Sequence, residues 1–267
     1  MNEDPTLSKL IKACGVVLIL IFLCSCKTLY TRSFTHDHGA IVQGDNTRKQ
    51  ITLVFTGHEF ADGAKHIRSI LNKHEIKAAF FFTGHFYRNP SFKATIENLV
   101  NDGHYLGAHS NDHLLYCDWV KRDSLLVTHQ EFLNDLGSNY KEMEQFGISK
   151  AQAPYYLPPY EWYNNRISEW TSDYGLQLIN MTHGTLSHTD YTTPEMSNYR
   201  SSEKIYKSIF SYESKNTTGL NGFLLLMHIG TDAKRQDKFY NRLEKLLLEL
   251  KSRKYDIIGL EKMLANK

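Results

Sequence analysis

Apolar residues recur along this chain with two alternating rhythms. Short continuous apolar runs, which read as strands buried on both faces, stand at Ile51–Phe55, Ala78–Thr83, Tyr105–Ala108, Tyr155–Leu157, Leu176–Asn180, Gly222–His228 and Tyr255–Ile258. Between them lie segments with helical spacing: Ala64–His74, with Ile67, Ile70 and Leu71 on one face, then Phe92–Asp102, Ser124–Phe146, Ile167–Tyr174, Ser201–Tyr212 and Phe239–Arg253. Asp62 precedes the first helix as a candidate N-cap, and Gly103 and Gly147 stop the second and third. Strands alternating with helices predict βα units around a parallel sheet. About seven such units favour a closed barrel over an open sheet. The expected fold is a single-domain α/β, distorted (β/α)7-type barrel over residues 51–267. There is no internal repeat, and no dinucleotide-type glycine fingerprint follows the first strand.

The first 50 residues break this rhythm. Lys9 and Lys12 precede the apolar run Ala13–Cys24, which is short for a membrane span and fits an export signal. It ends in Leu23-Cys24-Ser25-Cys26, which resembles the bacterial lipobox. The resemblance implies a lipoprotein signal peptide over 1–25, lipidation of Cys26, and anchoring to a membrane of the bacterial cell envelope, either leaflet being compatible. Residues 26–50 lack apolar periodicity and are expected to be a tether.

Composition narrows the chemistry. A net charge of +2 over 267 residues gives no electrostatic case for nucleic acid. Of four cysteines, only Cys117 lies beyond the N-terminal segment, so a disulfide framework is excluded and the fold must rest on its core. A 12% aromatic content suits both a rich core and rings that stack on sugars. Oligomeric state is not legible.

In a parallel barrel, chemistry belongs at the C-terminal ends of the strands. Histidines recur there: Thr56-Gly57-His58-Glu59, Thr83-Gly84-His85, His109-Ser110-Asn111-Asp112-His113, Thr182-His183-Gly184 and His228. His109 and His113 are four apart, so on a helical turn they share a face and can hold one metal ion.

The run Gly103–His113 resembles the His-Ser/Thr-x-x-His motif of the polysaccharide deacetylases, the NodB homology domain. Lys77–Gly84 resembles the second strand of that family, and Phe223–His228 its closing Leu-x-His motif. The resemblance implies a divalent metal, usually zinc, and hydrolysis of N- or O-acetyl groups on a polysaccharide such as peptidoglycan. It implies His228 as the acid that protonates the leaving group.

Three family positions differ. Phe55-Thr56-Gly57-His58-Glu59 stands where the family carries two aspartates, a base and a metal ligand. Leu157 replaces an arginine before Pro158-Pro159, and Ile179–Thr182 lacks an aspartate. The base network has therefore gone as a unit. His58 is the candidate third metal ligand beside His109 and His113. The base candidates rank Glu59, Glu161, then Asp62. Tyr160, Glu161 and Trp162 are expected to touch substrate, with Trp119 and Tyr163 nearby. The expectation is a metal-dependent carbohydrate deacetylase with a rearranged base. The alternatives are a deacetylase-like barrel that binds glycan without turnover, or a metal-dependent hydrolase of another bond.

Overall fold

The structure is a computed structural model that describes residues 34–265. The helices are α1 (Ala64–Lys73), α2 (Gly84–Arg88), α3 (Lys93–Asn101), α4 (His129–Glu144), α5 (Asn165–Asp173), α6 (Ser202–Lys215), α7 (Leu243–Ser252) and α8 (Leu260–Leu264). The strands are β1 (Thr35–Asp37), β2 (Ala40–Gln43), β3 (Gln50–Gly57), β4 (Ala79–Phe82), β5 (Tyr105–Ala108), β6 (Tyr155–Tyr156), β7 (Gln177–Leu178), β8 (Phe223–His228) and β9 (Asp256–Ile257). The sheet runs β1-β2-β8-β3-β4-β5-β6-β7, with β9 beside the start of β3. From β8 through β3 to β7 every pairing is parallel, as the apolar runs predicted. The result is the expected curled (β/α)7-type barrel.

β3, β4 and β8 owe their central place to their composition. Every residue of β4 is buried, as is every residue of β3 after Gln50. Phe55 stacks on Phe80 at 5.1 Å and Phe82 on Phe86 at 4.0 Å, and burying each such ring contributes about 2–3 kcal/mol. α1 turns Ile67, Ile70 and Leu71 inward, as its spacing required.

Three expectations need correction. Residues 35–43 are not tether. They form β1 and β2, and β2 closes the seam between β7 and β8: Gln43 pairs with Phe223, Ile41 bridges to Ile179, and Val42 O accepts from Thr182 Oγ1 at 2.6 Å. Three apolar residues, Ala40-Ile41-Val42, are too short a run to announce a strand. α4 starts at His129 rather than Ser124, because Thr128 and Glu131 form a reciprocal capping box. Residues before it bend rather than coil into helix, with Leu125 bridged to Cys117. Asp62 is not an N-cap, since Gly63 holds that position without a side-chain cap. The Asp62 carboxylate instead accepts from the Thr231 N–H, the Tyr240 hydroxyl and Lys238 Nζ. It therefore braces a loop and is not free to act as a base.

Candidate active site

The C-terminal ends of the strands surround a cleft of about 540 Å³. His58, Glu59, His109, His113, Tyr160, Glu161 and His228 all line it, so the structure brings together seven of the eight site residues expected in the folded region. Trp162 stands just behind the wall, stacked on Trp119 at 5.7 Å and beneath the Arg122 guanidinium at 4.3 Å. Cys26 lies outside the described residues.

The His109–His113 segment is not a helical turn. Ser110 and His113 take positive φ values of 72° and 55°, so a tight loop rather than helix periodicity brings the pair together. α4 holds that loop from beneath. Asp135 accepts from the backbone N–H groups of Asn111 and Asp112 and from the Tyr116 hydroxyl, and Asn139 Oδ1 accepts from His109 N–H. The rings of His109 and His113 then sit 5.2 Å apart at 63°.

His109 Nδ1 lies 2.8 Å from Leu157 O. A carbonyl can only accept, so Nδ1 carries the proton and Nε2 presents a lone pair. The residue that replaces the family arginine thus serves the site through its backbone. Burial holds His109 at a pKa of about 3 and, with His109, His58 and His228 adding like-charge repulsion, His113 at about 2. His58 is also lowered, first by burial. All three imidazoles are therefore neutral at physiological pH, the form that ligates a metal.

The end of β3 explains why a histidine stands here. A Cβ on Gly57 would lie 2.8 Å from Ile229 Cγ2, 2.9 Å from Phe82 Cδ1 and 3.0 Å from Phe86 Cε2. A side chain at position 57 would have to displace these neighbours, whereas the next residue reaches the cleft freely. His58 sets Nδ1 3.0 Å from Thr83 Oγ1, and its ring lies against His113 at 4.8 Å and 15°. Thr56, which faces His228 in the β3–β8 register, keeps a buried hydroxyl with no hydrogen-bond partner among the described residues.

The donor set fits a divalent ion in its chemistry: three neutral imidazoles, two of them oriented by second hydrogen bonds. Convergence is incomplete. Among the described residues no group of three or more His, Cys, Asp or Glu side chains is arranged around one point. Near-parallel rings such as His58 and His113 do not aim their nitrogens at a common centre.

The opposite wall carries the titrating groups. His228 Nδ1 lies 2.6 Å from Asp190 Oδ1, and the His228 N–H donates to Asp190 Oδ2 at 3.0 Å. Burial alone lowers the imidazole pKa, but the charge and hydrogen bond of Asp190, with Glu161 nearby, more than offset it and leave it raised. Asp190 rides on the 3-10 turn Ser187–Tyr191, which no apolar rhythm marks. Sequence reasoning missed it, and the Thr189-Asp190-Tyr191 stretch carries no signal that could have singled it out. The same turn brings His188 to the cleft, held near a pKa of 4 by burial.

Tyr160 and Glu161 follow the double proline with φ values of 58° and 53°. Two consecutive left-handed non-glycine residues are strained, at about 1–2 kcal/mol each. Asn180 Nδ2 donates to Glu161 O at 2.8 Å and holds the turn. Burial raises the Glu161 carboxyl to a pKa of about 7, against the pull of His228. Glu59, by contrast, is exposed at the cleft mouth.

The polysaccharide deacetylase family model matches residues 43–179, just over half of the chain. An uncharacterized 30.6 kDa protein from the fumA 3′ region of Geobacillus stearothermophilus is 25% identical over 164 residues, 61% of this chain and 56% of that protein. The chain thus spans little more than half the length of that curated relative. Among solved structures, a CE4-family pseudoenzyme from Bacillus anthracis superposes with a TM-score of 0.66 at 16% identity, covering 86% of this chain and 70% of the other. A family 4 acetyl xylan esterase from Clostridium thermocellum, solved with a cobalt ion, gives 0.61 at 17%, covering 80% and 89%. The fold is theirs, and with the family model matched across β3 to β7, the chain belongs to the polysaccharide deacetylase family.

Proposed function

We propose that this protein is a metal-dependent carbohydrate deacetylase of the cell envelope that removes N- or O-acetyl groups from a polysaccharide or peptidoglycan. The observation that carries the reading is the pairing of a carboxylate-braced His228 with a carboxyl of near-neutral pKa, Glu161, in one cleft with three neutral histidines. His58, His109 and His113 would hold the ion, zinc being the natural choice for a three-histidine set. When bound, the metal supplies Lewis acidity toward water and the acetyl carbonyl.

The chain's own residues do the rest. Glu161 takes the water proton: it lies within the cleft and its pKa sits near the working pH, where a general base is most effective. Glu59, the first choice from sequence, is solvated at the mouth and serves better at the rim. His228 passes a proton to the departing amine or alcohol, and Asp190 fixes its ring so that Nε2 faces the cleft. Anchoring at Cys26 is supported by the lipobox-like sequence alone.

A second reading has its own support. Position 57 is crowded against any side chain, and the same fold occurs in a pseudoenzyme, which favours a glycan-binding barrel without turnover. Acetate release from acetylated xylan, chitin oligomers and peptidoglycan, measured with zinc and with chelator, separates the two. Zinc-dependent release supports the enzyme. Glycan binding with no release from any substrate overturns it in favour of the binder.

A further inference from the structure

One wholly buried ion takes no part in the chemistry described above. Arg235 is 0% exposed, and among the described residues it is the bulkiest side chain that the fold encloses completely. It lies seven residues beyond His228, on the loop that leaves β8. Among the described residues no carboxylate pairs with it. Its Nη1 donates to Thr192 O at 2.6 Å and its Nη2 to Arg200 O at 3.0 Å, with longer approaches, at 3.4 Å, to Thr192 Oγ1 and Ser202 Oγ. The Tyr199 ring lies 5.2 Å from the guanidinium, and Nε has no partner among the described residues. An ion buried on two carbonyls and a ring face is costly to keep, and an apolar side chain would fill the same space without that cost.

Both carbonyls belong to the ends of one loop, residues 192–200, which closes on itself where the Arg200 N–H donates to Thr192 Oγ1 at 3.3 Å. Thr192 is tied back in turn to the 3-10 turn Ser187–Tyr191: its N–H and its hydroxyl both donate to Thr189 O, at 3.1 Å and 2.7 Å. Asp190 stands on that turn and grips His228. The contacts therefore form a ring: His228, the loop after β8, Arg235, Thr192, Asp190 and His228 again. The backbone N–H of Arg235 donates to Asp232 O at 2.9 Å, so the loop that carries the arginine is braced as well. A planar fork with donors in fixed directions holds two carbonyls at one spacing, which an ammonium does not. Burial lowers the His228 pKa, Asp190 and Glu161 raise it, and the Arg235 charge pulls against them, so the guanidinium is felt at the ring it braces.

We infer that, on the reading of His228 as the leaving-group acid, Arg235 is its positioning residue: by clasping both ends of the 192–200 loop it locks the turn that carries Asp190 against the strand end that carries His228. Arg235 acts through Asp190 and does not itself line the cleft. The 2.6 Å contact between Asp190 and His228 is the first to suffer when the turn drifts, because a short hydrogen bond tolerates little misalignment.

The test is made on the full-length protein with two readouts. The first is the proton resonance of the His228 Nδ1–H, which so short a bond shifts far downfield, assigned by its absence from Asp190→Asn. It should be sharp in the wild type and broadened by solvent exchange in Arg235→Met, which keeps the length and removes the fork. Arg235→Lys, which keeps the charge and reaches one carbonyl only, should lie between. The second readout is acetate release. Arg235→Met should lower kcat about ten- to a hundredfold and change KM less than about twofold. It should cost little more in an Asp190→Asn background, because both changes act through one imidazole. Where Arg235→Met does not fold, Arg235→Lys and Tyr199→Leu carry both readouts, each with a smaller loss in the same direction. An unchanged resonance in the folded variants, or a loss of turnover that adds in full to that of Asp190→Asn, overturns the inference. A resonance broadened in the variants, in a protein whose wild type releases no acetate, supports the clasp and overturns the deacetylase reading.

Discussion

Asp190 grips His228 twice, through Oδ1 to the ring Nδ1 at 2.6 Å and through Oδ2 to the backbone N–H at 3.0 Å. One carboxylate thus sets both the position and the proton affinity of the imidazole. Asp190→Asn keeps the shape and removes the charge, so the raised pKa of His228 falls. On the proposed mechanism, the protonated imidazole is needed for the leaving group. Activity of the variant should therefore decline at lower pH than in the wild type, an alkaline limb displaced toward acid. A pH–rate profile for acetate release checks this, and an unmoved limb would show that His228 is not the titrating acid.

On the proposed mechanism, Glu161 governs the other limb. With a pKa of about 7 it becomes a base only as pH rises through neutrality, so the rate should climb across that range. Glu161→Gln should lower kcat about a hundredfold or more, whereas Glu59→Gln should cost less than about threefold. Glu161→Gly makes a sharper case. It relieves a left-handed backbone worth about 1 kcal/mol and removes a desolvated carboxyl, so the unfolding midpoint should rise while turnover is lost.

Metal content should follow the histidines. His109→Ala and His113→Ala should each reduce bound zinc from about one per chain to near zero by elemental analysis, and His58→Ala should weaken it by about tenfold or more. A wild-type protein that stays metal-free after zinc loading would remove the enzyme reading.

Stability should fall with acid for a reason separate from catalysis. His104 and His109 are buried, with pKa values lowered to about 4 and about 3. Their ordinary value lies near 6.5, so from there down to about 4 the unfolded chain binds protons that the folded chain refuses. Stability is full above that window and falls within it, by up to about 1.4 kcal/mol per pH unit for each ring. Urea unfolding in chelator at pH 7, 6, 5 and 4 measures the slope, and His104→Phe should reduce it.

Gly57 tests why the first motif changed. Gly57→Asp places a side chain against Ile229, Phe82 and Phe86, and overpacking of this kind costs about 1–3 kcal/mol. The variant should melt several degrees lower and gain no affinity for zinc. A stable variant with tighter metal binding would show that the neighbouring rings yield.

The barrel was legible because its strands are apolar on both faces and long enough to see: β3, β4 and β8 stand where Ile51–Phe55, Ala78–Thr83 and Gly222–His228 placed them. β1 and β2 were not, since pairing in the seam beside β8, rather than hydrophobic rhythm, makes Ala40–Gln43 a strand. The cleft histidines were legible as residues at strand ends. Their roles were less so, because burial decides them: Glu161 and Glu59 are the same residue type, and only the fold puts one in the cleft wall and the other in water. Asp190 was out of reach, as its partner lies 38 residues away in sequence.

That β1 and β2 belong to the barrel would shorten the leash that the proposed anchoring requires. With the folded body starting near Thr35, an anchor at Cys26 would leave about nine residues, which fully extended reach about 30 Å. On that proposed anchoring, a protein held so close could not roam the thickness of a cell wall. It would work on the layer of glycan lying against its own membrane, meeting strands as they pass that height rather than searching for them.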